Sequence, residues 1–295
     1  VTAAVIVAGG GVVRDGMAGA LRELARRTGT GVLNTWTAKG LFPWDSLAHL
    51  GTIGLQARDV ELAGLADADD VVLVGVDDGE LPRRELDAAG VRWREVPTHA
   101  VGDLDVPVRT EPTPRPALFG ALAAVCGPLY ADDALPSNPA RAAADLAGWL
   151  PSGGVVCGEW DIAGFWLGRT FPTRELGSVA LPSSPVPGFA ATAAATARRA
   201  GRPSVAVVSS LGAATQAVLA RTADLVVEVW TAEGPPLSSA DRLARLDDLV
   251  AGGGRHVVEL GIDLRPLAAL EGVAGALRFL GGNPLTGADR PGNRD

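Results

Sequence analysis

Lysine is almost missing from this chain: of its 26 basic residues, Lys39 is the sole lysine. Catalysis by a lysine amine is therefore confined to that one position. Cysteine is scarce as well, and Cys126 and Cys157 are too few for a disulfide framework or a cysteine-only zinc site. The three histidines, His49, His99 and His256, lie far apart, with no H-E-x-x-H spacing to suggest a zinc hydrolase. Neither a G-x-S-x-G elbow nor a G-x-x-x-x-G-K-[ST] loop occurs, which removes the usual signatures of serine hydrolases and P-loop proteins. Positive charge is in deficit: a net charge of −8 and a pI near 5.0 argue against a nucleic-acid partner. No apolar run approaches the roughly 20 residues that span a bilayer. Arg14 and Asp15 interrupt the first apolar stretch, against a signal peptide. The expectation is a cytoplasmic protein with neither membrane nor nucleic acid as partner.

What is present is an alternation. At 295 residues, 47% of them hydrophobic and 20% charged, the chain is globular and long enough for two cores. Strands are predicted at "AVIVA" (4–8), "GVLNTW" (31–36), "DVVLVGV" (70–76) and "GVRWREV" (90–96). Helical stretches lie between them at 17–29 and 59–69, and a closing helix at 116–127 has proline at its start. After a Pro- and Asp-rich linker the pattern resumes, with strands in "GGVVCGEW", "SVAVVSS", "ADLVVEVW" and "RHVVELG". Helices are expected over 137–150, 187–201 and 264–280. Each strand returns through a helix, so the predicted fold class is α/β, two doubly wound domains with mostly parallel sheets. The boundaries read as 1–128, a linker at 129–139, a second domain at 140–280 and a polar tail at 281–295.

Several groups are candidates for chemistry. Gly9, Gly10 and Gly11 end the first strand and open a helix, a geometry that can cradle phosphate or simply permit a tight turn. Arg14 stands where a dinucleotide fingerprint would want its third glycine, and the second strand ends in Asn34-Thr35-Trp36 rather than in an acid. Asp77, Asp78 and Glu80 follow a buried strand and suit either a divalent cation or a solvated loop. Glu159 and Asp161 lie at a strand end, where they are general-base candidates or helix caps. The seven tryptophans are scattered and serve either a pocket or a core.

The segment 5–75, with its GGG turn, "VLNTWTAKGLFPWDSLAHLGTIG" and "ADDVVLVG", resembles the central domain of thiamine-diphosphate-dependent enzymes. The similarity is to the acetolactate synthase and benzoylformate decarboxylase group, and it extends to "VGDLDVPV". The second half resembles, in layout, the cofactor-binding C-terminal domain of the same family. Trp166, Arg169 and Pro172 fall where that family commonly has these residues, and Glu159 falls at its aspartate. The resemblance implies a Rossmann-like first domain that in some members holds FAD or ADP. A nucleotide near Gly9, Gly10, Gly11, Thr35, Gly75 and Asp77 follows from it.

The second half also departs from the family. The family ends the equivalent of "SVAVVSS" in G-D-G, whose aspartate holds Mg²⁺ on the diphosphate, and supplies an N-N pair further on. Here Ser209, Ser210 and Leu211 take the first position, and "DLVVEVWTAEG" carries no asparagine. Serine brings no negative charge to a hard cation. The family's glycine loop has become "ALPSSPVPG", in which proline lacks both the N–H and the φ freedom of glycine. The family's N-terminal pyrimidine-binding domain has no counterpart in these residues.

Two functions follow from the resemblance. The first is a degenerate, non-catalytic family member, serving as a scaffold, regulatory or small-molecule-binding subunit. The second is part of a working thiamine-diphosphate and Mg²⁺ enzyme, a carboligase or 2-oxo-acid decarboxylase, completed by a separate pyrimidine-binding domain. Either implies a homo-oligomer or a complex with a related chain.

Overall fold

A computed structural model describes residues 4–280. Apolar runs form the central parallel strands, buried on both faces as sheets covered by helices require, while β5 and β10 at two of the sheet edges keep exposed residues. The first sheet holds β1 (Ala4–Ala8), β2 (Val32–Thr35), β3 (His49–Ile53), β4 (Asp70–Val74) and β5 (Trp93–Val96), in the order β3-β2-β1-β4-β5. The second holds β6 (Val155–Gly158), β7 (Val179–Ala180), β8 (Ser204–Val208), β9 (Leu225–Thr231) and β10 (Arg255–Gly261), in the order β10-β9-β8-β6-β7. Every pairing in both sheets is parallel. The α/β class with two doubly wound sheets is the observed architecture. No helix among the described residues is long and apolar enough to cross a membrane.

Around the first sheet lie α1 (Gly10–Arg14), α2 (Ala18–Thr28), α3 (Asp59–Leu62) and α4 (Arg83–Ala88). Next come α5 (Ala117–Tyr130), α6 (Pro139–Trp149), α7 (Ile162–Thr170), α8 (Phe189–Arg199), α9 (Ala213–Arg221), α10 (Ser239–Gly252) and α11 (Leu267–Ala274). Helix α2 buries Leu21, Leu24 and Ala25 and stops where Gly29 donates its N–H to the Ala25 carbonyl, a left-handed C-terminal cap. Helix α8 buries five alanines, and their small side chains let it lie close on the sheet. Strand β9 carries Glu228 into the interior, where Arg242 donates from Nε and Nη2 at 2.6 and 2.7 Å and Trp230 from Nε1 at 3.0 Å. A buried carboxylate persists there because its acceptor sites are filled.

Three of the expected helices have other bounds in the structure. The helix expected over 59–69 is cut at Gly64, whose φ of +66° ends α3 and starts a separate 3₁₀ turn. The closing helix runs through Pro128 to Tyr130, so the non-helical link to α6 is shorter than 129–139. The last helix is confined to α11, and the expected tail at 281–295 lies outside the described residues.

The two sheets are joined by more than a linker. Leu118 near the start of α5 packs in the core of the first unit, and Cys126 near its end packs in that of the second. Trp36 and Leu55 leave the first sheet to enter the second core. The Trp36 indole donates to the Pro182 carbonyl at 2.8 Å and meets Trp160 and Phe279 edge-on. Trp36, Trp160 and the fully buried Trp166 are thus packing residues, whereas Trp44 stays 44% exposed.

Candidate functional site

In open α/β sheets, ligands are held outside the carboxyl ends of the strands where the strand order reverses. The first sheet reverses between β1 and β4, and this brings Gly9, Gly10, Gly11, Thr35, Gly75 and Asp77 to one end. Their polar groups are largely engaged with one another. Gly9 N–H donates to the Val74 carbonyl at 2.9 Å and Gly11 N–H to the Gly75 carbonyl at 2.8 Å. Gly75 has φ +60°, and a Cβ there would stand 2.6 Å from the Val12 nitrogen. Two backbone turns pressed together account for the glycines.

Side chains close the same crevice. Arg14, at the position of the missing third glycine, donates to both Asp77 carboxylate oxygens at 3.0 and 3.1 Å. Glu80 is buried and accepts from Thr35 Oγ1 at 2.8 Å, from the Thr37 backbone N–H at 3.2 Å and from the Thr37 hydroxyl. Burial pushes the Glu80 carboxyl above its usual range, and those three donors oppose the shift. Asp78 accepts instead from the Arg83 N–H. The three acids of "VDDGE" therefore face three separate partners, and the described residues contain no group of three or more potential metal ligands.

The second sheet reverses between β6 and β8. Gly158 pairs with Val207, which brings Asp161 to Ser209 across the switch point. Asp161 is the centre of this end. Its Oδ1 accepts from the Gly164 N–H at 3.0 Å, capping α7, and its Oδ2 accepts from the Ser209 N–H at 2.5 Å. Burial raises the Asp161 pKa, while these amides and the Ser209 hydroxyl pull it back. Glu159 turns the other way and accepts from the Ala190 N–H at 3.2 Å, in the first turn of α8. Its carboxyl is raised by burial too, with the neighbouring Asp161 charge adding to the shift. Ser210 is exposed, and Leu211 is half-buried with its carbonyl accepting from Gln216.

Glu159, Ser209, Ser210 and Leu211 are thus brought to one sheet end. The residue that organises it is Asp161, which the sequence offered only as a base or a cap. Its capping role depends on α7, whose nearly wholly buried residues carry no amphipathic period to announce a helix. The Thr37 hydroxyl and the role of Arg14 were not legible, because they depend on how three strand ends are juxtaposed.

Residues 2–87 match the family model described as the thiamine pyrophosphate enzyme central domain. A curated relative, acetolactate synthase of Mycobacterium avium, is 38% identical over 71 residues, which make up 24% of this chain and 11% of that protein. Among solved structures, a Mycobacterium smegmatis chain described as a thiamin diphosphate-dependent enzyme superposes with a TM-score of 0.63 at 19% identity. That superposition covers 88% of this chain and 61% of the other. At this identity it shows a shared fold, and in both cases the match spans less than two thirds of the relative's length.

Proposed function

We propose that this chain, whose residues 2–87 match the model of the thiamine pyrophosphate enzyme central domain, is a non-catalytic relative of those enzymes, a scaffold, regulatory or small-molecule-binding subunit. The observation that carries this reading is the hydrogen bonding of Asp161. A diphosphate bound at the β6–β8 switch point would draw on backbone N–H groups at loop and helix starts. Asp161 takes the Ser209 and Gly164 amides, and Glu159 takes that of Ala190. Two carboxylates turned to those amides repel a phosphate, and two serines add no charge for a divalent cation. The residues present do not fit thiamine diphosphate with Mg²⁺.

In the first domain, FAD or ADP at Gly9–Gly11, Thr35, Gly75 and Asp77 would have to open the Arg14–Asp77 pair and approach buried Glu80. The chain is read as working in a homo-oligomer or with a related chain that carries a pyrimidine-binding domain.

Calorimetric titration with thiamine diphosphate plus Mg²⁺, and separately with FAD and with ADP, tests the reading. No metal-dependent uptake of thiamine diphosphate is expected. Tight, Mg²⁺-dependent binding would overturn the proposal, and binding of FAD or ADP would assign the first crevice. Sedimentation of the chain, alone and with a candidate partner, tests the assembly.

A further inference from the structure

The sole lysine lines a cavity. Lys39 follows the 3₁₀ turn after β2, and Gly40, at φ +86°, sets that turn against the Glu175 carbonyl of the second unit. The side chain is thereby held between the two halves of the molecule, with only 8% of the residue exposed. It makes no hydrogen bond or ion pair with any described residue. Beside it lies a cavity of about 280 Å³, walled by β3, α5 and the end of α7, that reaches the surface at Trp44.

Most of this wall is apolar: Leu118, Phe119, Leu122, Ala123 and Phe171 supply it. The polar groups converge at one end and are unbalanced in charge. Arg169 gives Nη2 to both oxygens of Asp59 and Nη1 to the Thr52 carbonyl, while its buried Nε–H has no acceptor. His49 is buried and its Nδ1 has no partner. Arg115 lies near enough for its charge to act on His49, and it spends its guanidinium on the carbonyls of Asp45 and Ser46 and the face of Phe119. Cys126 and Tyr130 are held neutral by burial, and the Tyr130 hydroxyl is committed to the Thr170 carbonyl. Lys39, Arg169 and Arg115 are therefore set against the single carboxylate of Asp59, which is already engaged.

We propose that this cavity binds a small carboxylate carrying an aromatic or branched apolar group. The carboxylate pairs with Lys39, takes the free donor of Arg169 Nε and accepts from His49 in the tautomer protonated at Nδ1, and the apolar group fills the space among Leu118, Phe119, Leu122 and Phe171. An anion supplies the missing counter-charge and satisfies the orphaned donors, which are costly to leave unpaired in a buried place. The volume is adequate, since a cavity of about 150 Å³ already accommodates benzene. The site shares no residue with either switch-point crevice, so its test stands apart from that of the function proposed above.

Protonation adds a signature. Burial and the Arg169 charge push the Lys39 pKa down to about 7, and His49 is held neutral with its pKa near 3. A bound carboxylate favours the lysine cation. Binding is then constant below neutral pH, and above it weakens with rising pH and takes up a proton.

The experiment is calorimetry of the whole chain with benzoate, 3-phenylpropanoate and 4-methylpentanoate, each beside its neutral amide. The titrations are run at pH 6 and pH 9 in buffers of differing ionisation enthalpy. At least one carboxylate is expected to saturate the protein and to bind tenfold or more tighter than its amide, with proton uptake at pH 9. Lys39→Met is expected to lose that preference. Leu122→Trp, which fills the apolar space and leaves the charges alone, is expected to lose binding altogether, with circular dichroism confirming that both variants fold. Equal binding of acid and amide, undiminished binding in either folded variant, or no saturation by any of the three acids at millimolar concentration would overturn the proposal.

Discussion

Arg169 in α7 and Asp59 at the start of α3 form a buried ion pair across 110 residues of sequence, with one guanidinium nitrogen 2.9 Å from each carboxylate oxygen. Asp59 also accepts from the backbone N–H groups of Leu55 and Gln56 at 2.9 and 3.1 Å. One carboxylate thus holds the turn after β3 and the second unit's first helix after β6 together. The pair ties the two sheets at a place where neither charge reaches water.

Removing one partner leaves the other charged and unpaired. Asp59→Ala is expected to cost about 3–5 kcal/mol of unfolding free energy, and Arg169→Met a similar amount. The double variant Asp59→Ala/Arg169→Met should recover a good part of that loss. Denaturant unfolding of the three variants measures the coupling, and simple additivity would show that the pair does not act as a unit.

At the second switch point, Asp161→Ala removes the α7 cap and strands the Ser209 amide. A loss of about 2–3 kcal/mol is expected from the cap and the unsatisfied donor together. Thermal melting checks it. Asp161→Ser, which keeps a capping oxygen, should restore part of the stability, and no recovery would count against the capping role.

Lys39 makes stability depend on pH with a definite sign. Its folded pKa of about 7 lies below the unfolded value of 10.5, so below neutral pH the full cost of burying its charge is present. Between about 7 and 10.5 the unfolded chain binds the extra proton, and stability rises with pH. Lys39→Met removes the cost and should be more stable than the parent at pH 6, by roughly 5 kcal/mol at 1.36 kcal/mol per pKa unit. The advantage should shrink toward pH 10. Urea titrations at several pH values report it, and an advantage independent of pH would mean that the lysine titrates normally.

His49 acts in the same direction at lower pH. Held neutral with a pKa near 3 against 6.5 when unfolded, it withdraws stability as pH falls from 6.5 toward 3. His49→Leu should flatten that limb of the stability curve. An unchanged slope would show that other groups govern the acid limb.

Gly75 is the sharpest test of the first turn. Gly75→Ala meets both a left-handed φ and a contact of 2.6 Å to the Val12 nitrogen, and should destabilise by about 2–4 kcal/mol. Gly90→Ala serves as the comparison. It has φ +71° and open space around it, and should lose only the φ contribution.

The strands most legible in the sequence are the apolar runs, whereas β5 and β10 are expected from mixed sequences and keep exposed residues. "AVIVA", "DVVLV" and "SVAVV" are apolar without interruption because both faces of a parallel strand meet helices, and such runs can be read without neighbours. The edge strand β3 is fully buried as well, yet its residues do not announce a strand. Its "HLGTI" mixes polar and apolar residues around Gly51, and its register with β2 shifts beside Leu33. The helix α7 was hidden for a different reason: "IAGFWLGRT" is buried all round, so it shows no amphipathic period.

By itself, then, the sequence determined the alternating α/β plan and the central-domain resemblance. These rest on local apolar runs and on residue identity, which need no third dimension. Only the tertiary structure decided which acid meets which amide: Asp161 on Ser209, Glu80 on Thr35 and Asp59 on Arg169. It also turned the sole lysine from a count into a buried charge without a counter-ion. Partners brought together across 45 to 110 residues are set by how strand ends converge, and that convergence is a property of the packed sheets rather than of any stretch of chain.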